Sequence, residues 1–153
     1  MVGTFGQRVE QAPPKRPRVL IVDDNEVNRA VSAAVCDAAG FQYEFATNGF
    51  EAVDAVARCT FDLVLMDIYM PGMDGLAAAE AIRKLPRAAA LPIIAVTSDA
   101  SPSARTRYEA AGLIDVVAKP LTPGRLLGAM AGALSDALET RRGRDPASSS
   151  LAS

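Results

Sequence analysis

Short apolar runs that alternate with helix-forming segments constrain the fold of this 153-residue chain more than any other feature. Such runs predict strands at 18–22, 41–46, 63–66, 93–96 and 114–117. Between them, apolar residues recur at helical spacing, and the segments are bounded by polar caps, glycines and prolines. The runs around Leu20, Leu63, Ile93 and Ile114 are apolar at consecutive positions, which indicates burial on both faces. We therefore expect an α/β fold with an open, doubly wound, five-stranded parallel sheet.

The helices are predicted from their boundary signals. The first spans about 26–39 and ends at Gly40, and the second spans 48–57. Asp74 is a predicted cap for a helix through Leu85, and Ser101 and Thr122 each precede a proline at a helix start. The last apolar stripe ends at Leu138. The two ends of the chain lack this alternation, so we expect a linker at 1–17, one domain at 18–138 and a disordered tail at 139–153.

Composition excludes several classes of function. The net charge of −2 argues against a nucleic-acid binder, and no apolar run approaches the length of a membrane helix. We see no signal peptide and expect a cytoplasmic protein whose Cys36 and Cys59 are free thiols. The chain has no histidine, which excludes histidine-based triads and histidine-liganded zinc.

Polar residues follow the predicted strands where they end. Asp23 and Asp24 follow the first strand, Asp67 the third, Thr97 the fourth and Lys119 the fifth. Because ligands of such sheets bind outside the carboxyl ends of the strands, we expect these side chains to converge there. Each one alone is commonly a turn, a cap or an ordinary strand end.

Taken together, these polar residues favour a metal-dependent phosphoryl site. Three clustered carboxylates repel one another, and Mg²⁺ relieves this repulsion by binding their oxygens. One carboxylate can then act as a nucleophile on a phosphoryl group, since aspartyl phosphate is an established covalent intermediate. Lys119 and the Thr97 hydroxyl would stabilise the phosphoryl oxygens.

At these positions the sequence resembles the receiver domain of two-component response regulators. The matching segments are Val19-Leu-Ile-Val-Asp-Asp-Asn25, residues 62–75, residues 94–98 and Ala118-Lys119-Pro120. The resemblance covers roughly 18–138 and implies a flavodoxin-like fold with strand order 2-1-3-4-5.

The resemblance implies a role for each site residue. Asp67 would be the phosphoacceptor and a metal ligand, Asp24 would bind Mg²⁺ directly, and Asp23 would bind it mostly through water. The backbone carbonyl of Tyr69 would be a further ligand, and Mn²⁺ can substitute for Mg²⁺. Because any turnover is confined to the chain's own aspartate, we expect a signalling module rather than an enzyme.

Two further roles are implied near the fifth strand. Lys119 would pair with the phosphoryl group through a cis Lys119–Pro120 peptide, and Thr97 would be a switch hydroxyl that moves toward the phosphate. Receivers commonly carry Tyr or Phe three residues before the lysine, where this chain has Val116. We therefore expect a weaker structural switch than usual. Tyr69 and Asp99 resemble positions that tune the phosphoryl lifetime.

The implied partners are phosphoryl donors. The segment Asp24 to Asn28 resembles receivers of hybrid histidine kinases and phosphorelays, so the donor would be a phosphohistidine of a sensor kinase or phosphotransfer protein. Apolar residues on the first helix, Ala33 among them, form either a buried face or a docking face for that partner. Gly124, Gly128 and Gly132 favour close packing on the sheet over a partner contact, and the oligomeric state stays open between a monomer and a weak dimer.

Three alternatives compete with this interpretation. A phosphatase of the haloacid dehalogenase type usually needs a second aspartate two residues after its nucleophile, where this chain has Tyr69. A flavodoxin-like nucleotide binder is disfavoured because Asp23 and Asp24 would repel phosphate. A receiver fold that acts only as a protein-interaction module would not need the full polar set.

Overall fold

The computed structural model describes residues 16–143, and it contains five strands and five α-helices in strict alternation. The strands are β1 (Arg18–Val22), β2 (Gln42–Ala46), β3 (Leu63–Asp67), β4 (Ile93–Thr97) and β5 (Asp115–Ala118). The helices are α1 (Glu26–Ala39), α2 (Gly49–Arg58), α3 (Gly75–Arg83), α4 (Pro102–Ala110) and α5 (Pro123–Gly143). A short 3₁₀ turn, Pro86–Ala88, precedes β4.

The strands form one parallel sheet in the order β2-β1-β3-β4-β5, as the resemblance implied. Every residue of β3 and β4 is buried, because helices cover both faces of these inner strands. Alternate strand residues feed two hydrophobic clusters, one on each face, with Leu20 and Val64 in one and Ile21 and Leu65 in the other. The α/β doubly wound fold is therefore confirmed, and its central strand β3 ends in Asp67.

The edge strands differ from the expectation. Ile114 lies outside β5 and is 52% exposed, and Asp115, the first residue of β5, is exposed as well. The prediction that the run at Ile114 is buried on both faces was therefore wrong. The reason is position, since β5 is an edge strand that pairs with β4 on one side only.

Side-chain caps start most helices. The side chains of Asn25, Asn48, Asp74 and Ser101 each accept a hydrogen bond from a backbone N–H in the first turn of α1, α2, α3 and α4. The predicted caps at Asp74 and Ser101 are thus confirmed. The αL conformation of Gly40, with φ of 78°, ends α1 as predicted.

The last helix is longer than its apolar stripe. It continues to Gly143, five residues beyond Leu138, so the helix overlaps the segment expected to be a disordered tail. Glu139, Arg141 and Arg142 are good helix formers, which explains why the helix extends past the last residue of the apolar stripe. The rest of the predicted linker and tail, 1–15 and 144–153, lies outside the described residues.

The first helix presents a different face from the one expected. Ala33 is buried at 9% exposure in the cluster that contains Cys36, so it is not available for docking. Val27, Ala30 and Ala34 are the exposed members of the apolar set. Helical periodicity turns Ala33 and Ala34 to different sides, because consecutive positions are about 100° apart.

The glycines of α5 do not pack closely on the sheet. A Cβ atom added at Gly124, Gly128 or Gly132 would meet no heavy atom within 4 Å, and all three positions are exposed. The close-packing interpretation was therefore wrong, because the glycine stripe lies on the solvent side of the helix.

Both cysteines are free, as predicted. Cys36 is buried in the core, and burial raises the pKa of its thiol to about 11, so the thiol stays protonated near neutral pH. Within residues 16–143, none of the helices combines the length and the apolar character needed to cross a bilayer.

Candidate functional site

The carboxyl edge of the sheet brings the predicted polar residues together. Asp67 is the last residue of β3 and Thr97 the last residue of β4, while Asp23 and Lys119 directly follow β1 and β5. The side chains of Asp23, Asp67 and Thr97 are buried, and Asp24 is exposed at the mouth. The parallel register fixes this convergence, since Asp67 pairs with Val96 and Thr97 pairs with Ala118.

Three carboxylates form the centre of the site. Each of Asp23, Asp24 and Asp67 offers an oxygen, and these oxygens lie within 4.8 Å of one another. Oδ1 of Asp23 accepts the backbone N–H of Asn25 at 2.9 Å, and its backbone carbonyl accepts a hydrogen bond from Arg29 at 2.9 Å. These bonds hold the loop after β1 so that the Asp23 carboxylate stays close to Asp67.

Lys119 supplies the positive charge of the site. Its Nζ lies 3.0 Å from Oδ1 of Asp67 and 3.8 Å from Oδ2 of Asp23. The Lys119 backbone N–H donates to the Thr97 carbonyl at 2.8 Å, and the Lys119–Pro120 peptide is cis, as predicted. The lysine is thus fixed at its backbone while its ammonium contacts two carboxylates.

The charges do not balance in this pocket. Burial, together with the neighbouring carboxylates of Asp23 and Asp24, raises the pKa of Asp67 to about 6 against the opposing effect of Lys119. Asp67 is only 1% exposed, so ionising its carboxyl group costs free energy in the absence of a second cation. The pocket has more negative charge than its lysine offsets.

The pocket has the features of a hard-cation site. Oδ2 of Asp67 is buried and has no hydrogen-bond partner among the described residues, although buried carboxylate oxygens are normally satisfied. A divalent cation that prefers oxygen ligands would satisfy this atom and offset the excess negative charge. The residues present therefore fit Mg²⁺, which the carboxylates of Asp23, Asp24 and Asp67 could hold. The Tyr69 carbonyl remains a predicted ligand.

Gly75 positions the loop that follows Asp67. A Cβ atom at this position would lie 2.3 Å from the Asp67 carbonyl oxygen and 2.7 Å from Cα of Ile68. The Gly75 N–H also donates to the Ile68 carbonyl at 2.9 Å. The first turn of α3 therefore packs directly against the backbone of the proposed acceptor, which only glycine permits.

The sequence interpretation missed Tyr108. This α4 residue is 0% exposed, and its hydroxyl lies 3.3 Å from Oγ1 of Thr97. The spacing of Ala104, Tyr108 and Ala111 was the available signal, since it places all three on one helical face. That pattern predicts burial, but not which polar group the phenol meets.

Tyr69 and Asp99 lie at the rim of the site. Asp99 approaches Arg107 at 3.8 Å, and hydrogen bonds from Ser101 hold the pKa of the Asp99 carboxyl below its usual range. The Tyr69 side chain is half exposed and interacts with Asp99 and Tyr108. Their roles in the phosphoryl lifetime stay predictions.

Comparisons with known proteins agree with this geometry. Residues 19–131 match the family model for the response regulator receiver domain. The chain belongs to the response regulator receiver domain family. Receivers of this family are typically signalling modules without catalytic turnover of a separate substrate, and the comparisons give no support to a phosphatase.

Two relatives show which kinds of protein contain a similar receiver. The chain is 39% identical over 108 residues to the signal transduction histidine-protein kinase BarA of Escherichia coli K12, covering 71% of this chain and 12% of BarA. It is 42% identical over 116 residues to the two-component response regulator ORR41 of Oryza sativa, covering 73% of this chain and 90% of that relative. The chain thus spans about an eighth of the length of the kinase.

A solved structure of a similar receiver contains Mg²⁺, the metal that suits the carboxylate pocket of this chain. The receiver domain of the sensor histidine kinase PA1611 of Pseudomonas aeruginosa PAO1 holds a magnesium ion in its active-site cleft. This receiver superposes on it with a TM-score of 0.73 at 30% identity, covering 79% of this chain and 99% of that one.

Proposed function

We propose that this receiver accepts a phosphoryl group onto Asp67, in a Mg²⁺-dependent reaction, from a phosphohistidine on another protein or domain. The observation that carries the proposal is the buried, unpartnered Oδ2 of Asp67, beside two further carboxylates and 3.0 Å from the Lys119 ammonium at Oδ1. The chain has no histidine, so the donor lies outside it.

The transfer exchanges one bond to phosphorus for another. A carboxylate oxygen of Asp67 attacks phosphorus, a P–O bond forms, and the P–N bond to the donor imidazole breaks with its electron pair returning to nitrogen. Mg²⁺ supplies positive charge to the phosphoryl oxygens when bound. Because the reacting Asp67 oxygen must be ionised, its pKa near 6 keeps it reactive at neutral pH.

Two side chains of the receiver complete the site. The Lys119 ammonium is already within hydrogen-bond distance of Asp67 and stabilises charge on the transferred group. The Thr97 hydroxyl, at the end of the neighbouring strand, hydrogen-bonds a phosphoryl oxygen after transfer. Mn²⁺ also suits a pocket of carboxylate oxygens and is proposed as a substitute metal.

The proposed donor is a histidine kinase or a histidine phosphotransfer protein, which docks through α1. Val27, at the start of α1, is 70% exposed, and Ala30 and Ala34 continue the exposed apolar strip. An apolar groove of about 230 Å³ lies between Ala34 on α1 and Leu127 on α5. A partner helix would bury this strip, and it would reach the acceptor because α1 starts beside Asp23.

The two free thiols fit a reducing compartment such as the cytoplasm.

Phosphotransfer profiling tests the proposed function. Purified, phosphorylated histidine kinases and phosphotransfer proteins are mixed with the receiver, and transfer of label is followed with and without Mg²⁺. We expect transfer from at least one donor, dependent on Mg²⁺ and absent in Asp67→Asn. Transfer that persists in Asp67→Asn would refute the assignment of the acceptor.

The docking face has its own matched pair of variants. Ala34→Glu places a charge on the α1 strip and should slow transfer from the protein donor, while Ala57→Glu places the same charge on an exposed position of α2. Both variants should react normally with acetyl phosphate, which needs no docking surface. Equal rates of protein-donor transfer in the two variants would remove α1 from the proposal.

A further inference from the structure

Strand β5 lacks the aromatic residue that receivers commonly carry three residues before the lysine. Tyr108, a buried aromatic residue on α4, is the candidate to replace it. Val116, at the position where receivers commonly carry Tyr or Phe, is aliphatic and half-buried, so it offers no polar atom to the site. Tyr108 enters the same hydrophobic cluster from α4 and is fully buried. An aromatic ring with a hydroxyl is therefore present in this part of the core, on a different element.

The hydroxyl of Tyr108 contacts Thr97 and the Asp99 carbonyl, and the Tyr69 side chain also interacts with it. The Tyr108 hydroxyl donates its single proton to the Asp99 carbonyl at 2.8 Å. It is therefore the acceptor in its 3.3 Å contact with Oγ1 of Thr97. The Thr97 oxygen in turn accepts the Asp99 backbone N–H at 3.1 Å. The one proton of the Thr97 hydroxyl is thus committed to Tyr108.

This arrangement creates a competition for one proton. In the proposed reaction the Thr97 hydroxyl donates to a phosphoryl oxygen on Asp67, and a hydroxyl has only one proton to donate. Thr97 must therefore give up Tyr108 in order to bind the phosphoryl group. The bond from Tyr108 to the Asp99 carbonyl does not use the Thr97 proton and can be kept in both states.

We propose that Tyr108 is a positioning residue that holds the Thr97 hydroxyl away from Asp67 until a phosphoryl group is present, so that α4 supplies the switch aromatic that β5 lacks. The inference rests on the proposed function of Asp67 and Thr97. It replaces the simple expectation drawn from Val116, because the coupling runs from Thr97 to α4 rather than to β5.

The same residue connects the site with the surface. The Arg107 guanidinium lies 5.8 Å from the centre of the Tyr108 ring and 3.8 Å from the Asp99 carboxylate. Arg107 is exposed on α4. When Thr97 releases Tyr108, the change reaches a charged side chain that a partner protein can contact.

Beryllofluoride binding to the receiver with Mg²⁺ tests the inference, because this phosphoryl mimic needs the Thr97 hydroxyl without covalent chemistry. Tyr108→Phe keeps the ring and removes the competing acceptor. We expect it to bind beryllofluoride about two- to tenfold more tightly than the wild type, the effect of one neutral hydrogen bond. Tyr43→Phe is the matched control, since it removes a phenol hydroxyl that donates to Asp37 at 3.2 Å in an exposed contact, and it should bind as the wild type does.

The Thr97→Val background separates positioning from packing. Without the Thr97 hydroxyl there is no competition, so Tyr108→Phe should no longer change the affinity there. A folded Tyr108→Phe that binds as the wild type does, or more weakly, overturns the inference, and so does an equal effect in the Thr97→Val background. If the wild type does not bind beryllofluoride, or if Asp67→Asn binds it equally well, the proposed function fails and the inference fails with it.

A measurement on the wild type covers the case in which Tyr108→Phe does not fold. The chain has three tyrosines, which ring-¹³C-tyrosine labelling resolves by NMR, with Tyr43→Phe and Tyr69→Phe as assignment variants. We expect beryllofluoride to shift the Tyr108 ring signals while those of Tyr43 stay in place. A Tyr108 signal that does not move overturns the inference.

Discussion

Replacing Asp67 with asparagine should stabilise the metal-free receiver at neutral and alkaline pH. The pKa of Asp67 is raised from 3.8 to about 6, first by burial and then by Asp23 and Asp24, so ionising this group costs free energy in the folded state. A difference of about two pKa units corresponds to about 3 kcal/mol. Asparagine has nearly the same shape and no charge, and the partly exposed Lys119 keeps Asp23 at 3.8 Å as a partner.

The direction of the pH dependence follows from linkage. Because the folded-state pKa of Asp67 is raised, its stabilising contribution is fully present below pH about 4 and is lost as the pH rises through about 6. The advantage of Asp67→Asn should therefore be up to about 3 kcal/mol at pH 8 and should vanish near pH 4. Mg²⁺ should narrow the difference at pH 8, because it stabilises the wild-type carboxylate cluster.

Urea unfolding at pH 8 and pH 4, with EDTA or with Mg²⁺, measures these differences. Asp54→Asn is the matched control, since Asp54 makes an exposed ion pair with Arg58 and its loss should change stability by less than about 1 kcal/mol. The reasoning is refuted if Asp67→Asn is no more stable than the wild type at pH 8 in EDTA, or if its advantage is the same at pH 4.

Three further substitutions test other parts of the account. Lys119→Ala should slow phosphorylation of Asp67 by about a hundredfold while Mg²⁺ binding at pH 8 persists, as measured by label incorporation and calorimetry; an unchanged rate would contradict the role of the lysine. Gly75→Ala should destabilise the fold by about 1–3 kcal/mol in urea unfolding and weaken Mg²⁺ binding, because its Cβ meets the Asp67 backbone at 2.3 Å; wild-type stability would show that the loop yields freely. Gly128→Ala should raise the free energy of unfolding by about 1 kcal/mol, and any loss would mean that this glycine is not solvent-facing.

The site was predictable because it depends on strand ends. Each apolar run is followed at once by its polar residue, and parallel strands must bring such residues to one edge. The positions of Asp67 and Lys119 could therefore be inferred before any distance between them was known.

The predictions that failed, or that were missed, depend on which part of the fold packs against a given residue. The apolar run predicts that Ile114 is buried, but Ile114 is exposed because it precedes an edge strand. Only the strand order shows that β5 is at the edge of the sheet. The side of α5 that carries Gly128 depends on how the helix is rotated on the sheet, and weak amphipathic periodicity does not determine that rotation. The contact of Tyr108 with Thr97 depends on three-dimensional packing between α4 and the end of β4, which no local pattern encodes.

Mapping of the phosphorylated residue tests the central claim most directly. The receiver is treated with Mg²⁺ and acetyl phosphate, reduced with borohydride to trap any aspartyl phosphate, digested, and analysed by mass spectrometry. The account predicts one modified residue, Asp67, and no modification when Mg²⁺ is chelated. Modification at another residue, or none under conditions in which a known receiver is modified, would contradict it.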